Sequence, residues 1–167
     1  GTWAARTVLG SSWLTVRQIV VHGNNRLSTP DVEALLAGIR SERILNIDFE
    51  AYRKRVMDSP WVADVSMRRI LPSTVELRLV ERVPMVIARL GPQLYLVDSA
   101  GVIMDEFGPQ YRDFDLPIVD GLVTASRGGP VWDADRVHLT GRFFEALAAR
   151  PDLRRRISQV DVSNARD

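Results

Sequence analysis

Trp61-Val62-Ala63-Asp64-Val65-Ser66-Met67-Arg68-Arg69-Ile70-Leu71-Pro72-Ser73-Thr74-Val75-Glu76-Leu77-Arg78-Leu79 decides the fold of this chain. Trp61, Ala63, Val65 and Met67 alternate with Val62, Asp64, Ser66 and Arg68. Beyond the Leu71-Pro72-Ser73 turn, Val75, Leu77 and Leu79 alternate with Glu76 and Arg78. A period of two on both sides of a proline turn predicts a β-hairpin with one buried face. In this register Trp61 opens the apolar face and is expected to pack between the preceding helix and the sheet.

Upstream of the hairpin, Ser59-Pro60 stops a helix that Asp48 starts as N-cap, with Phe49, Tyr52 and Val56 inward. Arg53, Lys54 and Arg55 fall in its last turns, where cations suit the helix dipole. Ser28-Thr29-Pro30-Asp31 begins an earlier helix. Its Val32, Leu35, Leu36 and Ile39 recur at i, i+3, i+4 and i+7, which gives one apolar stripe. Val16–His22 reads as a strand, closed by a Gly23-Asn24-Asn25 turn. Residues 16–83 therefore spell β-α-α-β-β. Residues 1–15, with Trp3, Val8, Leu9, Trp13 and Leu14, read either as a frayed terminal helix or as a juxtamembrane stretch, since Trp favours a membrane interface.

Downstream, Val83-Pro84 marks a joint, and residues 84–167 read as a second, β-rich mixed domain with one main helix. Strands are predicted over 85–90, 93–97, 102–104 and 117–119, with Asp98-Ser99-Ala100-Gly101 as a tight turn. Residues 124–130 read as a flexible loop. Asp133 or Asp135 caps a helix carrying Val137, Phe144, Leu147 and Ala148. A short basic piece runs from Asp152 to Arg156, and Ile157, Val160 and Val162 suggest a last strand. The fold class is α+β. The start at Gly1 looks arbitrary, and the second domain is expected to be incomplete at its C-terminus.

The chain has 167 residues, 46% hydrophobic and 26% charged, with a formal net charge of +1. So weak a field excludes charge-driven nucleic-acid binding as the main activity. Without cysteine, disulfides, thiol nucleophiles and Cys-ligated zinc are excluded. No apolar run reaches the ~20 residues that span a bilayer. His22 and His138 stand far apart, and no acidic spacing around them suggests a metal. Asp98-Ser99 with a distant His lacks a nucleophile elbow, and a hairpin turn explains the pair without chemistry. The acid pairs Asp105-Glu106 and Asp113/Asp115 lie in polar loop sequence, where solvated carboxylates are expected. Gly128-Gly129 lacks the lysine of a phosphate loop. Arg68-Arg69 and Arg154-Arg155-Arg156 are the densest basic clusters. The second sits at a helix end, where structure alone explains it, with a phosphate or anionic-lipid contact as the alternative.

Val16-Arg17-Gln18-Ile19-Val20-Val21-His22-Gly23-Asn24, Leu27-Ser28, Pro60-Trp61-Val62, Arg69-Ile70-Leu71-Pro72 and Glu81-Arg82-Val83-Pro84, in that order, resemble a POTRA domain. Leu94-Tyr95-Leu96-Val97-Asp98-Ser99-Ala100-Gly101 and Leu116-Pro117-Ile118 extend the resemblance, over roughly residues 13–164, to the FtsQ/DivIB bacterial cell-division family. The resemblance implies a single-pass inner-membrane protein whose bulk lies in the periplasm or outside the cell. It implies no catalysis and no cofactor. It implies partners that are FtsB- and FtsL-like division proteins, with further divisome proteins at the POTRA domain and a role in regulating septal wall synthesis. The alternative is a POTRA component of an outer-membrane insertion or secretion system.

Two groups of site residues follow. Ile157, Gln159, Val160, Asp161 and Val162 form the candidate partner-binding edge. The family's main partner edge is expected farther along the chain, so that these residues alone bind poorly. Arg69, Glu81, Arg82 and Pro84 form the candidate domain junction, with acid and base expected to tie the domains by polar contacts.

Overall fold

In the computed structural model, which describes residues 13–126 and 129–164, the chain divides between Glu81 and Arg82 into two units. Both mix helices with sheet, and the second is the richer in strands.

The first unit comprises β1 (Gln18–His22), α1 (Thr29–Leu35), α2 (Phe49–Met57), β2 (Val62–Ile70) and β3 (Thr74–Glu81). The Ser28 side chain accepts the Asp31 amide while Asp31 reaches back to the Ser28 amide, a reciprocal cap that fixes where α1 starts. Asp48 caps α2 by accepting the Glu50 and Ala51 amides. The sheet order is β1-β3-β2, with β1 parallel and β2 antiparallel to β3. Val32, Leu36 and Ile39, Tyr52 and Val56, and Val65, Val75, Leu77 and Leu79 share one core. Gly23 ends β1 at φ +84, where a Cβ would meet Leu79 O at 2.1 Å; only glycine fits so close a crossing.

The register differs from the sequence expectation at Trp61. A bulge between Val62 and Asp64 shifts the strand's phase. Val62 and Val65 are therefore both buried, whereas Trp61 is half-buried beneath the Arg26 guanidinium. Val62, in the same core as Tyr52 and Val56 of α2, takes the inward place that strict alternation gives to Trp61.

The second unit carries β4 (Pro84–Leu90), β5 (Gln93–Asp98), β6 (Ile103–Glu106), β7 (Ile118–Asp120), β8 (Val123–Ser126), β9 (Gly129–Trp132), α3 (Ala134–Ala148), α4 (Pro151–Arg154) and β10 (Gln159–Asp161). Five strands form one sheet in the order β10-β7-β4-β5-β6. Val86, Ala88, Val97 and Val119 pack under Phe144 and Leu147 of α3. Asp133 is the residue that caps α3, accepting the Arg136 amide. The turn of α3 facing the core includes Thr140 and Gly141, whereas Ala148 is exposed. The stretch 124–130, expected as a loop, is mostly a two-stranded hairpin of β8 and β9. Gly129 and Pro130, which read as turn formers, lie in β9 opposite Ser126 and Ala125, and residues 127 and 128 lie outside the described residues. Of the stretch 1–15, residues 1–12 lie outside them as well.

Candidate partner-binding edge

β10 pairs in parallel with β7, Val160 opposite Val119. The Ile118 amide donates to Ser158 O at 2.9 Å and the Val162 amide to Asp120 O at 3.0 Å. In a parallel ladder alternate residues point their amides and carbonyls to opposite sides. Ser158, Val160 and Val162 thus turn to β7, and the backbone groups of Gln159 and Asp161 turn outward. Among the described residues β10 ends the sheet. Ile157, Val160 and Val162 pack against the apolar core, which fixes the strand from beneath. One polar link holds it from the side: Gln159 Nε2 donates to Asp120 Oδ2 at 2.6 Å, and Asp120 Oδ1 in turn accepts from Arg89 of β4. Ser163 hydrogen-bonds the Asp161 carboxylate and, with help from the Arg136 charge, holds its pKa below the usual value.

A cleft of about 590 Å³ opens beside the start of β10. Ile87, Phe107, Phe114, Leu116 and Ile157 supply its apolar lining, and Asp115, Arg154 and Arg155 its charged lining. The basic run singled out in the sequence therefore borders the same strand as the candidate edge.

The junction residues divide their bonds as follows. Glu81 accepts the backbone amides of Asn25, Arg26 and Leu27 at 2.8–3.1 Å, which closes the turn after β1. Arg69 donates to Ile44 O and Ile47 O, both at 2.7 Å, and lies over the Phe49 ring. In the second unit Arg82 pairs with Asp98 at 2.8 Å. Pro84 opens β4 opposite Asp98, at the first position of a strand, where a missing amide costs least.

Ser99 and His138 do line one shallow cleft of about 270 Å³. Asp98 is committed elsewhere, to Arg82 and to the Ala100 and Val102 amides. Among the described residues no hydrogen bond joins Ser99 to His138, and no group of three His, Asp or Glu side chains is placed to hold a metal. His22 lies 3.4 Å from Glu76. Sequence alternation places Glu76 on the solvent side of β3, yet it is buried under Arg68 and Arg78, which lower its pKa chiefly through the Arg68 hydrogen bond. The clue in the sequence is cross-strand: the hairpin register sets Arg68 directly opposite Glu76.

Residues 14–82 match the family described as POTRA domain, FtsQ-type. The chain is similar to curated proteins named cell division protein FtsQ. It is 28% identical to the one from Koribacter versatilis over 73% of this chain and 37% of that protein. Against the Agrobacterium fabrum protein it is 32% identical over 59% of this chain and 31% of that one. Against the Novosphingobium aromaticivorans protein it is 25% identical over 97% of this chain and 47% of that one. The chain spans less than half the length of these curated relatives.

Proposed function

The chain belongs to the FtsQ/DivIB family of cell-division proteins, and from that premise we propose that it is part of a non-catalytic divisome scaffold. It binds other division proteins, FtsB- and FtsL-like ones among them, and helps to regulate septal wall synthesis. The parent protein is held by one transmembrane helix in the inner membrane, with these residues on the outer side of it. The described residues contain no helix long and apolar enough to cross a membrane.

The observation that carries the reading is the outer edge of β10, which no strand covers among the described residues. Outward-facing amides and carbonyls on a strand are a hazard unless something pairs with them. A partner segment that adds as a further strand satisfies them. Residues flanking that segment meet the cleft, where Arg154 and Arg155 against the one acid Asp115 favour an acidic neighbour. Binding then depends on backbone geometry rather than on a reactive group.

Titration calorimetry of this chain against the extracytoplasmic segment of the FtsB-like partner tests the reading. Gln159→Pro removes one outward amide at an edge position that tolerates proline. The expected result is weak binding, because the family's main partner edge is expected farther along the chain, and a further loss of about fivefold with Gln159→Pro, the worth of roughly one hydrogen bond. Equal affinity of the two chains contradicts strand addition at β10.

A further inference from the structure

Three segments meet at one end of the first unit. The Ile44 amide donates to Leu14 O at 2.6 Å, and the Val16 amide to Glu42 O at 3.1 Å. Thr15 bridges Arg43. The amides of Arg17 and Gln18 both reach Ser73 O, at 2.8 and 3.2 Å. Arg69 ties the third segment to Ile44 and Ile47. The start of β1, the loop over 42–47 and the β2–β3 turn thus form one hydrogen-bonded platform.

Each segment of this platform exposes large apolar side chains: Trp13 at 74%, Leu45 at 56%, Leu71 at 61% and Ile70 at 39%. The charge around them is one-sided. Residues 13–18, 42–47 and 69–73 hold Arg17, Arg43 and Arg69 against one acid, Glu42, and the exposed Asp48 that follows is engaged in capping α2. The Glu42 carboxylate accepts the Tyr52 hydroxyl, so it is turned inward. Arg17 and Arg43 are exposed.

We propose that this end of the first unit is a membrane-contacting surface, seated in the headgroup layer of an anionic bilayer. An exposed Trp favours the depth where ring and water both find partners. A few aliphatic side chains inserted beside arginines is the composition of interfacial contacts, and each arginine near an anionic surface adds attraction that salt weakens. The apolar groups come from three separate segments, two of them chain reversals, and all sit on one basic end. That arrangement matches a broad, negatively charged surface. The inference rests on this geometry and charge and stands independently of what binds at β10.

Vesicle flotation of this chain tests it, with bilayers of phosphatidylcholine alone and with about a third phosphatidylglycerol. The expected result is binding to the anionic vesicles that falls with added salt. Arg43→Glu and Leu71→Ser, at exposed positions, should each reduce binding, and together by about tenfold or more. Leu139→Ser with Phe143→Ser, at exposed apolar sites on α3, should leave binding unchanged. The proposal is overturned if the unaltered chain does not float at low salt, if the Arg43 and Leu71 variants float as well as it does, or if the α3 variant alone loses binding.

Discussion

Arg82 Nη1 stands 2.8 Å from Asp98 Oδ2, in a pair largely withdrawn from solvent. The same carboxylate accepts the Ala100 and Val102 amides at 3.0 and 2.8 Å. One acid therefore both shapes the β5–β6 turn and receives the first residue of the second unit. Arg82→Ala leaves that buried carboxylate with its amides alone and should cost about 1–3 kcal/mol. Asp98→Ala should cost more, because it also releases two turn amides and strands the arginine. Urea unfolding followed by circular dichroism gives both values. An Arg82→Ala chain as stable as the parent would show that the pair contributes nothing net.

Glu81 does for the first unit what Asp98 does for the second. Its carboxylate takes three consecutive amides, Asn25 to Leu27, and so holds the turn that leads into α1. Glu81→Ala should destabilise the chain by about 1–3 kcal/mol. Hydrogen exchange should speed up first at these amides. Glu81→Gln keeps an acceptor and should restore part of the loss; no difference between the two variants would assign the effect to packing instead.

Glu76 should make stability depend on pH. Hydrogen bonds and charge from Arg68, then Arg78, hold its carboxyl below the usual carboxylate range. A depressed acid contributes stability that is present above its unfolded pKa and is lost as pH falls through its folded pKa. The loss should therefore begin below about pH 4.5 and continue downward. Glu76→Gln should flatten that limb, and Arg68→Ala should move the carboxyl's titration upward in NMR. A Glu76 carboxyl that titrates at the same pH with and without Arg68 would contradict the assignment.

Local chemistry made most of the first unit readable. Both helix starts are set by side chains that bond amides a few residues away, Ser28 and Asp48, so the signal and its cause lie together in the chain. The hairpin was legible for the same reason. Trp61 was not, because a bulge is a property of the paired strands and has no period of its own. The hairpin of β8 and β9 was hidden because Gly129 and Pro130, which read as loop formers, are paired strand residues opposite Ser126 and Ala125. Of the candidate edge, Ile157, Val160 and Val162 were visible as apolar residues. That Gln159 and Asp161 turn their backbone outward follows only from the pairing with β7, a segment about forty residues away in the chain.

Hydrogen exchange at single-residue resolution tests strand addition most directly. In the free chain the amides of Val160 and Val162 should be protected by β7, and those of Gln159 and Asp161 should exchange fast. With the FtsB-like segment bound, Gln159 and Asp161 should slow by the largest factors in the chain. A complex that forms while these two amides go on exchanging as fast as before would contradict the account.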